Sequence, residues 1–248
     1  PSAAPADEAE ISTLLCPPRT IHVNGGTRAV GKKQVAVREY CMDVTEVTAG
    51  AYAECVDRGA CSDSELECDD QWTFRKPGRA DHPINCVSWQ QADGYCRAVG
   101  KRLPTFDEWE WAAQAGSEKR RFAWGDSEPA PGQICWSEDT AQPHTCVVGT
   151  FPASRTPDGI DDLFGGVWEY LSPAQRNGIV NVARGGSWQN TGIDTLEGDN
   201  PGGFMAEFTR NDVVGFRCAY DGRRAPPPPR PGRPSRDPDA PEVDLDEP

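Results

Sequence analysis

Ten cysteines in 248 residues constrain this chain more than any other feature. They stand at Cys16, Cys41, Cys55, Cys61, Cys68, Cys86, Cys96, Cys135, Cys146 and Cys218. No two are spaced as CxxC, which leaves zinc ribbons, thioredoxin-like dithiols and iron–sulfur clusters without support. An even, scattered set reads instead as a disulfide framework of up to five bridges, and disulfides persist in oxidising compartments. Spacing alone does not select the pairings. The chain has neither an initiator Met nor an apolar targeting segment, and reads as a processed form that is secreted or periplasmic.

Charge and hydropathy narrow the partners. The formal net charge of −14 disfavours nucleic acid and anionic membrane, both of which attract Lys/Arg fields. No run approaches the roughly 18 apolar residues of a membrane span. Twenty-five Gly and 23 Pro, beside two Met, argue for a loop-heavy domain over a helix bundle.

Three segments follow along the chain. Residues 1–15 are rich in Pro, Ala and acid and read as a flexible lead. Residues 222–248 (GRRAPPPPRPGRPSRDPDAPEVDLDEP) are basic, then acidic, with almost nothing apolar to bury, and read as a disordered tail or polyproline II spacer. A PxxP ligand for a partner is the alternative for this tail. Residues 16–221 form one α+β domain. Ser88 caps a helix through Trp89, Ala92, Cys96 and Val99, stopped by Gly100. Thr105 and Glu108 form a capping box for a second, carrying Trp109, Ala112 and Ala113 and stopped by Gly116. A third lies near 48–57. The β-prone runs are Gln34–Cys41, Thr145–Phe151, Val180–Arg184 and Val214–Tyr220. Trp109, Trp111, Trp168 and Trp188 are expected in the core, with Arg102 and Arg184 anchoring carboxylates or carbonyls.

Five blocks, in order, carry a resemblance: CMDVTEVTAGAY (41–52), HPINCVSW (82–89), YCRAVGKRLPTFDEWEWA (95–112), GGVWEY (165–170), and RGGSW (184–188) leading to GFRC (215–218). Together they resemble the formylglycine-generating enzyme, or sulfatase-modifying factor, family over about residues 35–220. The resemblance implies a C-type-lectin-like fold variant with little regular secondary structure. It also implies a Cys96–Cys218 bridge.

Family members that convert a sulfatase cysteine to formylglycine bind copper(I) through two cysteines just after GGS[YW]. Copper(I) suits soft thiolates. The matching positions here are Asn190 and Thr195, and Ser187–Arg217 contains no cysteine, so no copper is expected. Nor is iron: the family's sulfoxide synthases hold it with three histidines, whereas His22, His82 and His144 are scattered. Ser187 lacks the second glycine of G-x-S-x-G, and Asp107, Glu108 and Glu110 suit helix capping and dipole roles better than acid–base work.

A structural calcium is implied by the resemblance at Asp162, Gly165, Val167 and Glu169, a loop that offers the mixed hard oxygens calcium prefers. The bland alternative has Asp162 capping a turn and Glu169 paired with an arginine. The family's other calcium site falls near 135–150, where Cys135 and Cys146 suggest a bridge instead. Further pairings considered are Cys55–Cys61 or Cys55–Cys68, and Cys41–Cys86. The function expected is a non-catalytic module. Trp188, Asn190, Thr195, Glu197, Asp199, Asn200 and Phe204 would present a surface to a protein or glycan ligand. The alternative is an oxidase acting on a peptide cysteine through relocated residues.

Overall fold

The computed structural model describes residues 14–30, 33–137, 143–172, 182–196, 203–204 and 210–224. The strands begin with β1 (Leu14–Leu15), β2 (Thr20–Val23), β3 (Gly26–Val30), β4 (Lys33–Val37) and β5 (Tyr40–Asp43). Three helices follow: α1 (Ala49–Asp57), α2 (Trp89–Ala98) and α3 (Phe106–Ala113). After them come β6 (Trp168–Tyr170), β7 (Val182–Arg184), β8 (Gly203–Phe204), β9 (Val214–Gly215), β10 (Ala219–Tyr220) and β11 (Arg223–Arg224). Long irregular connections separate these short elements, and the α+β character matches the sequence reading.

The helices start where local chemistry demands. The Thr48 hydroxyl accepts the N–H of Ala51 and opens α1. At α2, Ser88 and Gln91 satisfy each other's backbone N–H groups, and Thr105 and Glu108 do the same at α3. The end of α2 is a Schellman turn: Lys101 N–H reaches Cys96 O at 2.7 Å while Gly100 takes φ +75°. Helix α3 ends slightly before Gly116, because Ala115 itself adopts a left-handed φ of +54°.

Strand partners were less legible. Gln34–Cys41 is not one strand: β4 makes a hairpin with β3, while β5 sits between β2 and β10 in a different sheet. Val214–Tyr220 likewise divides. β9 runs parallel to β6, and β10 runs antiparallel to β5. The chain changes sheets at Phe216–Cys218, held by Val47 N–H to Phe216 O and Asp43 N–H to Cys218 O, both 2.9 Å. Thr145–Phe151 forms no strand. Its polar groups anchor a loop instead, with Val148 N–H on Asp81 O and Gly149 N–H on the Asp162 carboxylate. Of Val180–Arg184, β7 covers 182–184, and 180–181 lie outside the described residues. The β1–β11 pairing carries regular structure slightly beyond residues 16–221 at both ends.

Five disulfides close the framework: Cys16–Cys41, Cys55–Cys61, Cys68–Cys86, Cys96–Cys218 and Cys135–Cys146. The Cys41–Cys86 pairing is therefore corrected. Cys41 lies on β5 beside β2, whose lead-in carries Cys16, whereas Cys86 faces the loop of Cys68. The alternative Cys55–Cys68 falls with it. Two apolar clusters fill the interior, one around Trp109, Trp111, Phe122 and Phe164, the other around Tyr52, Tyr95, Trp188 and Phe216. Trp168 is only half-buried. Arg102 grips the Glu108 carboxylate through both terminal nitrogens and also reaches Asp221, while Arg184 lies over the rings of Phe106 and Trp109.

Cys96–Cys218 ties α2 to the segment entering β10 across 122 residues of sequence. A C96S/C218S variant should lose roughly 4–5 kcal/mol of unfolding free energy, as a loop of this length implies; urea denaturation measures it.

Candidate functional site

The segment after β7 carries the positions where thiolates would be needed. The Asn190 side-chain carbonyl accepts from Ser187 N–H at 2.7 Å and from the Ser187 hydroxyl at 2.8 Å. The residue is a turn-former, its amide folded back on its own loop. The Ser137 hydroxyl donates to Asn190 O at 3.0 Å and braces the same turn. Trp188 points inward: it is 7% exposed, and its indole N–H donates to Asp212 O. Thr195 ends a single 3₁₀ turn, and Phe204 lies on β8, paired with Val182. Glu197, Asp199 and Asn200 lie outside the described residues, as do the side chains of Thr195 and Phe204. Of the expected ligand surface, Trp188 and Asn190 come together and both serve the scaffold. The outward residues of this turn are Gln189 and Thr191.

All ten cysteines are oxidised, and none is free. Two of the three histidines, His82 and His144, are neighbours, with ring centroids 5.9 Å apart. His22 contacts Glu39 at 3.2 Å. His82 is buried against the Thr145 hydroxyl at 2.9 Å, edge-on to His144. Burial, and then the positive charge of Arg79, lower the His82 pKa to about 4, so it is neutral at ordinary pH. Its role is structural.

The most charged interior site forms around the 162–169 loop. Arg217 is fully buried, and its five N–H donors meet five acceptors. Nε and one terminal nitrogen grip Glu169 at 2.8 and 2.7 Å, and the remaining donors go to the carbonyls of Asp43, Val44 and Asp161. Glu169 also accepts the Trp109 indole N–H at 2.8 Å. Asp161 pairs with Arg155. Asp162 takes a left-handed φ of +57° and accepts Gly149 N–H through one oxygen.

Glu46 completes the cluster, and sequence reasoning did not single it out. It is 3% exposed, and its Oε2 has no hydrogen-bond partner. Its other oxygen lies where a Cβ on Gly166 would stand, 2.5 Å away, and Gly166 has φ +62°. Glu46 and Asp162 share the wall of a cavity of about 10 Å³ with Phe164, Gly166 and the Cys135–Cys146 bridge. Burial raises both carboxyls, Asp162 to about 6, and the Asp162 charge raises Glu46 further. Four carboxylates (Glu46, Asp161, Asp162 and Glu169) face two guanidiniums, Arg155 and Arg217. Two carboxyls, Glu46 and Asp162, are left without a guanidinium of their own. The one advance signal was an acid placed between Val44 and Val47 just ahead of a helix cap.

Among the described residues, no three His, Cys, Asp or Glu side chains alone could hold a metal ion. A hard cation here would need two carboxylates, Glu46 and Asp162, with main-chain carbonyls completing its shell. That donor chemistry fits calcium. Of the four expected positions, Glu169 spends its carboxylate on Arg217 and Trp109.

Among the described residues, short helices, four small sheets and five disulfides put the molecule in the formylglycine-generating-enzyme-like class of C-type-lectin-like folds. The sulfatase-modifying factor enzyme 1-like domain matches residues 6–222, and the chain belongs to that family. Over 178 residues it is 39% identical to the formylglycine-generating enzyme of Streptomyces coelicolor, covering 58% of this chain and 54% of that protein. Over 167 residues it is 30% identical to inactive C-alpha-formylglycine-generating enzyme 2 of Bos taurus, covering 60% and 53%. The structure of PvdO from Pseudomonas aeruginosa superposes with a TM-score of 0.65 at 20% identity, over 85% of this chain and 98% of that one. At that identity the likeness shows the fold alone. The match spans between a quarter and about half the length of the curated relatives.

Replacing Arg217 by Met leaves Glu169 buried and unpaired. R217M should therefore cost roughly 3–5 kcal/mol, and R217M/E169Q should recover part of the loss in the same urea titration.

Proposed function

We propose that this chain is a non-catalytic, extracytoplasmic binding module, secreted or periplasmic, built on a sulfatase-modifying-factor scaffold. One observation carries the reading: every cysteine is closed into a disulfide, so no thiolate is left to grip copper(I). A member of this family inactive by name exists among its relatives. Asn190, at the first copper-cysteine position, spends its side chain on fixing the 187–190 turn. The surface offered to a protein or glycan ligand is then the outer side of that turn, where Gln189 and Thr191 face outward; Thr195, Glu197, Asp199, Asn200 and Phe204 are assigned to it from the sequence alone. Loops on a stapled scaffold are natural recognition elements.

The test incubates the native protein with copper(I), oxygen and a CxPxR peptide, and follows peptide thiol and aldehyde. The expected result is no aldehyde above the copper-only control and no titratable protein thiol before unfolding. Turnover of the peptide would overturn the reading.

The same proposal assigns calcium to the Glu46–Asp162 pocket. Calcium would neutralise the cluster and supply no redox chemistry. With a free ion at about a hundred times its dissociation constant, the gain is about 2.7 kcal/mol, or a rise in Tm of roughly 5–10 °C for a domain of this size. E46Q replaces the orphaned carboxyl by a neutral amide, so it should abolish the calcium increment while melting no lower than the parent in EDTA. Coincident melting curves of the parent with calcium and with EDTA would rule the site out.

A further inference from the structure

A second concave surface lies on another part of the molecule and is independent of that reading. It is a groove of about 700 Å³ between the β3–β4 hairpin side, the start of α3 and the exit of the chain at Gly222. Leu14, Ala36 and Val37 line it together with the carboxylate residues Glu39, Asp107, Glu108 and Asp221, against one lining cation, Arg38. Glu39 contacts His22, and Asp107 and Asp221 contact Arg28 and Arg102, yet the side chains of Asp107 and Asp221 remain 42% and 78% exposed. Arg102 already holds Glu108 with both terminal nitrogens, so the Asp221 charge is only partly neutralised.

The chain beyond the ladder has a pattern that complements this groove. Leu14, one of the lining residues, pairs with Arg224, so the next residue leaves from the groove's own end. Residues 225–236 read APPPPRPGRPSR. A polyproline II helix has about 3 residues per turn and a rise near 3.1 Å. That period puts Arg230, Arg233 and Arg236 on one edge, roughly 9 Å apart, and Pro228, Pro231 and Pro234 on the next. One edge suits carboxylates and the other suits the apolar lining residues.

We propose that this groove is the docking site of the chain's own segment 225–236, bound in cis as a polyproline II helix, with its arginine edge toward Glu39, Asp107 and Asp221 and its proline edge on Leu14, Ala36 and Val37. Guanidiniums match carboxylates through bidentate hydrogen bonds, and a preformed polyproline II segment loses little entropy on docking. Tethering at Arg224 supplies a high effective concentration, so weak pairs suffice.

The test is the rate of tryptic scission at Arg236–Asp237 in the full chain, compared with a free peptide of residues 225–248. Three exposed ion pairs predict protection of about tenfold at low salt. The protection should vanish near about 0.5 M NaCl, where screening is strong, and should not change on dilution. R230E/R233E, which lies outside the described fold, should abolish it, and D107N/D221N should remove most of it. Scission as fast as in the free peptide overturns the proposal. So does protection that survives R230E/R233E, or protection that fades on dilution, which would place a second copy's segment in the groove.

Discussion

The structure turns on one buried guanidinium. Arg217 sits where the chain leaves the sheet of β6 to β9 and enters the sheet of β2, β5 and β10. An arginine cannot shed its proton in a protein interior, so all five donors need acceptors. It finds them in the Glu169 carboxylate and three main-chain carbonyls from two segments, 43–44 and 161. Asp43 works from the other direction, accepting Cys218 N–H through its carboxylate at 2.8 Å. The crossing between the sheets is therefore set by polar geometry, and Cys96–Cys218 locks it covalently one residue later. Apolar packing fills the space on either side but does not specify which sheet each half-strand joins.

This explains what could be read in advance. Helix starts were legible because a cap needs only residues three apart: Ser88 with Gln91, Thr105 with Glu108. The tryptophan core was legible in part from size alone; Trp168 is the exception, half-buried on a short strand. The division of Val214–Tyr220 was not legible, because the reason for it lies in Arg217, Asp43 and Glu169, which are far apart in sequence. The disulfide pairings had the same difficulty. Cys41 and Cys86 both lie near the start of helical blocks, and only the placement of β2 and the acidic loop decides that they take Cys16 and Cys68.

The candidate site divides along the same line. The motif runs from Asp162 through Gly165 and Val167 to Glu169, the last on β6, but the use of each oxygen depends on partners elsewhere. Glu169 is committed to the guanidinium and an indole, while Glu46, from the other side of the molecule's sequence, is left short of a donor. Such an orphan is costly in a low-dielectric interior unless something neutralises it. Gly166 fits the same picture, since any side chain there would collide with the Glu46 carboxylate. The strained φ of Asp162 is a further cost that surrounding structure must over-determine, a pattern concentrated at functional sites.

The cavity and the Ser187–Asn190 turn are mechanically joined. Trp188 N–H donates to Gly166 O at 2.8 Å, and Gly165 N–H donates to Gly185 O at 2.9 Å. The loop that carries Asp162 and the Ser187–Asn190 turn therefore share a ladder, with Cys135 O closing it through Gly166 N–H. A cation drawn into the Glu46–Asp162 cavity would relieve repulsion on one side of Gly166 and stiffen the turn on the other. Through that link calcium would act on recognition without touching a ligand.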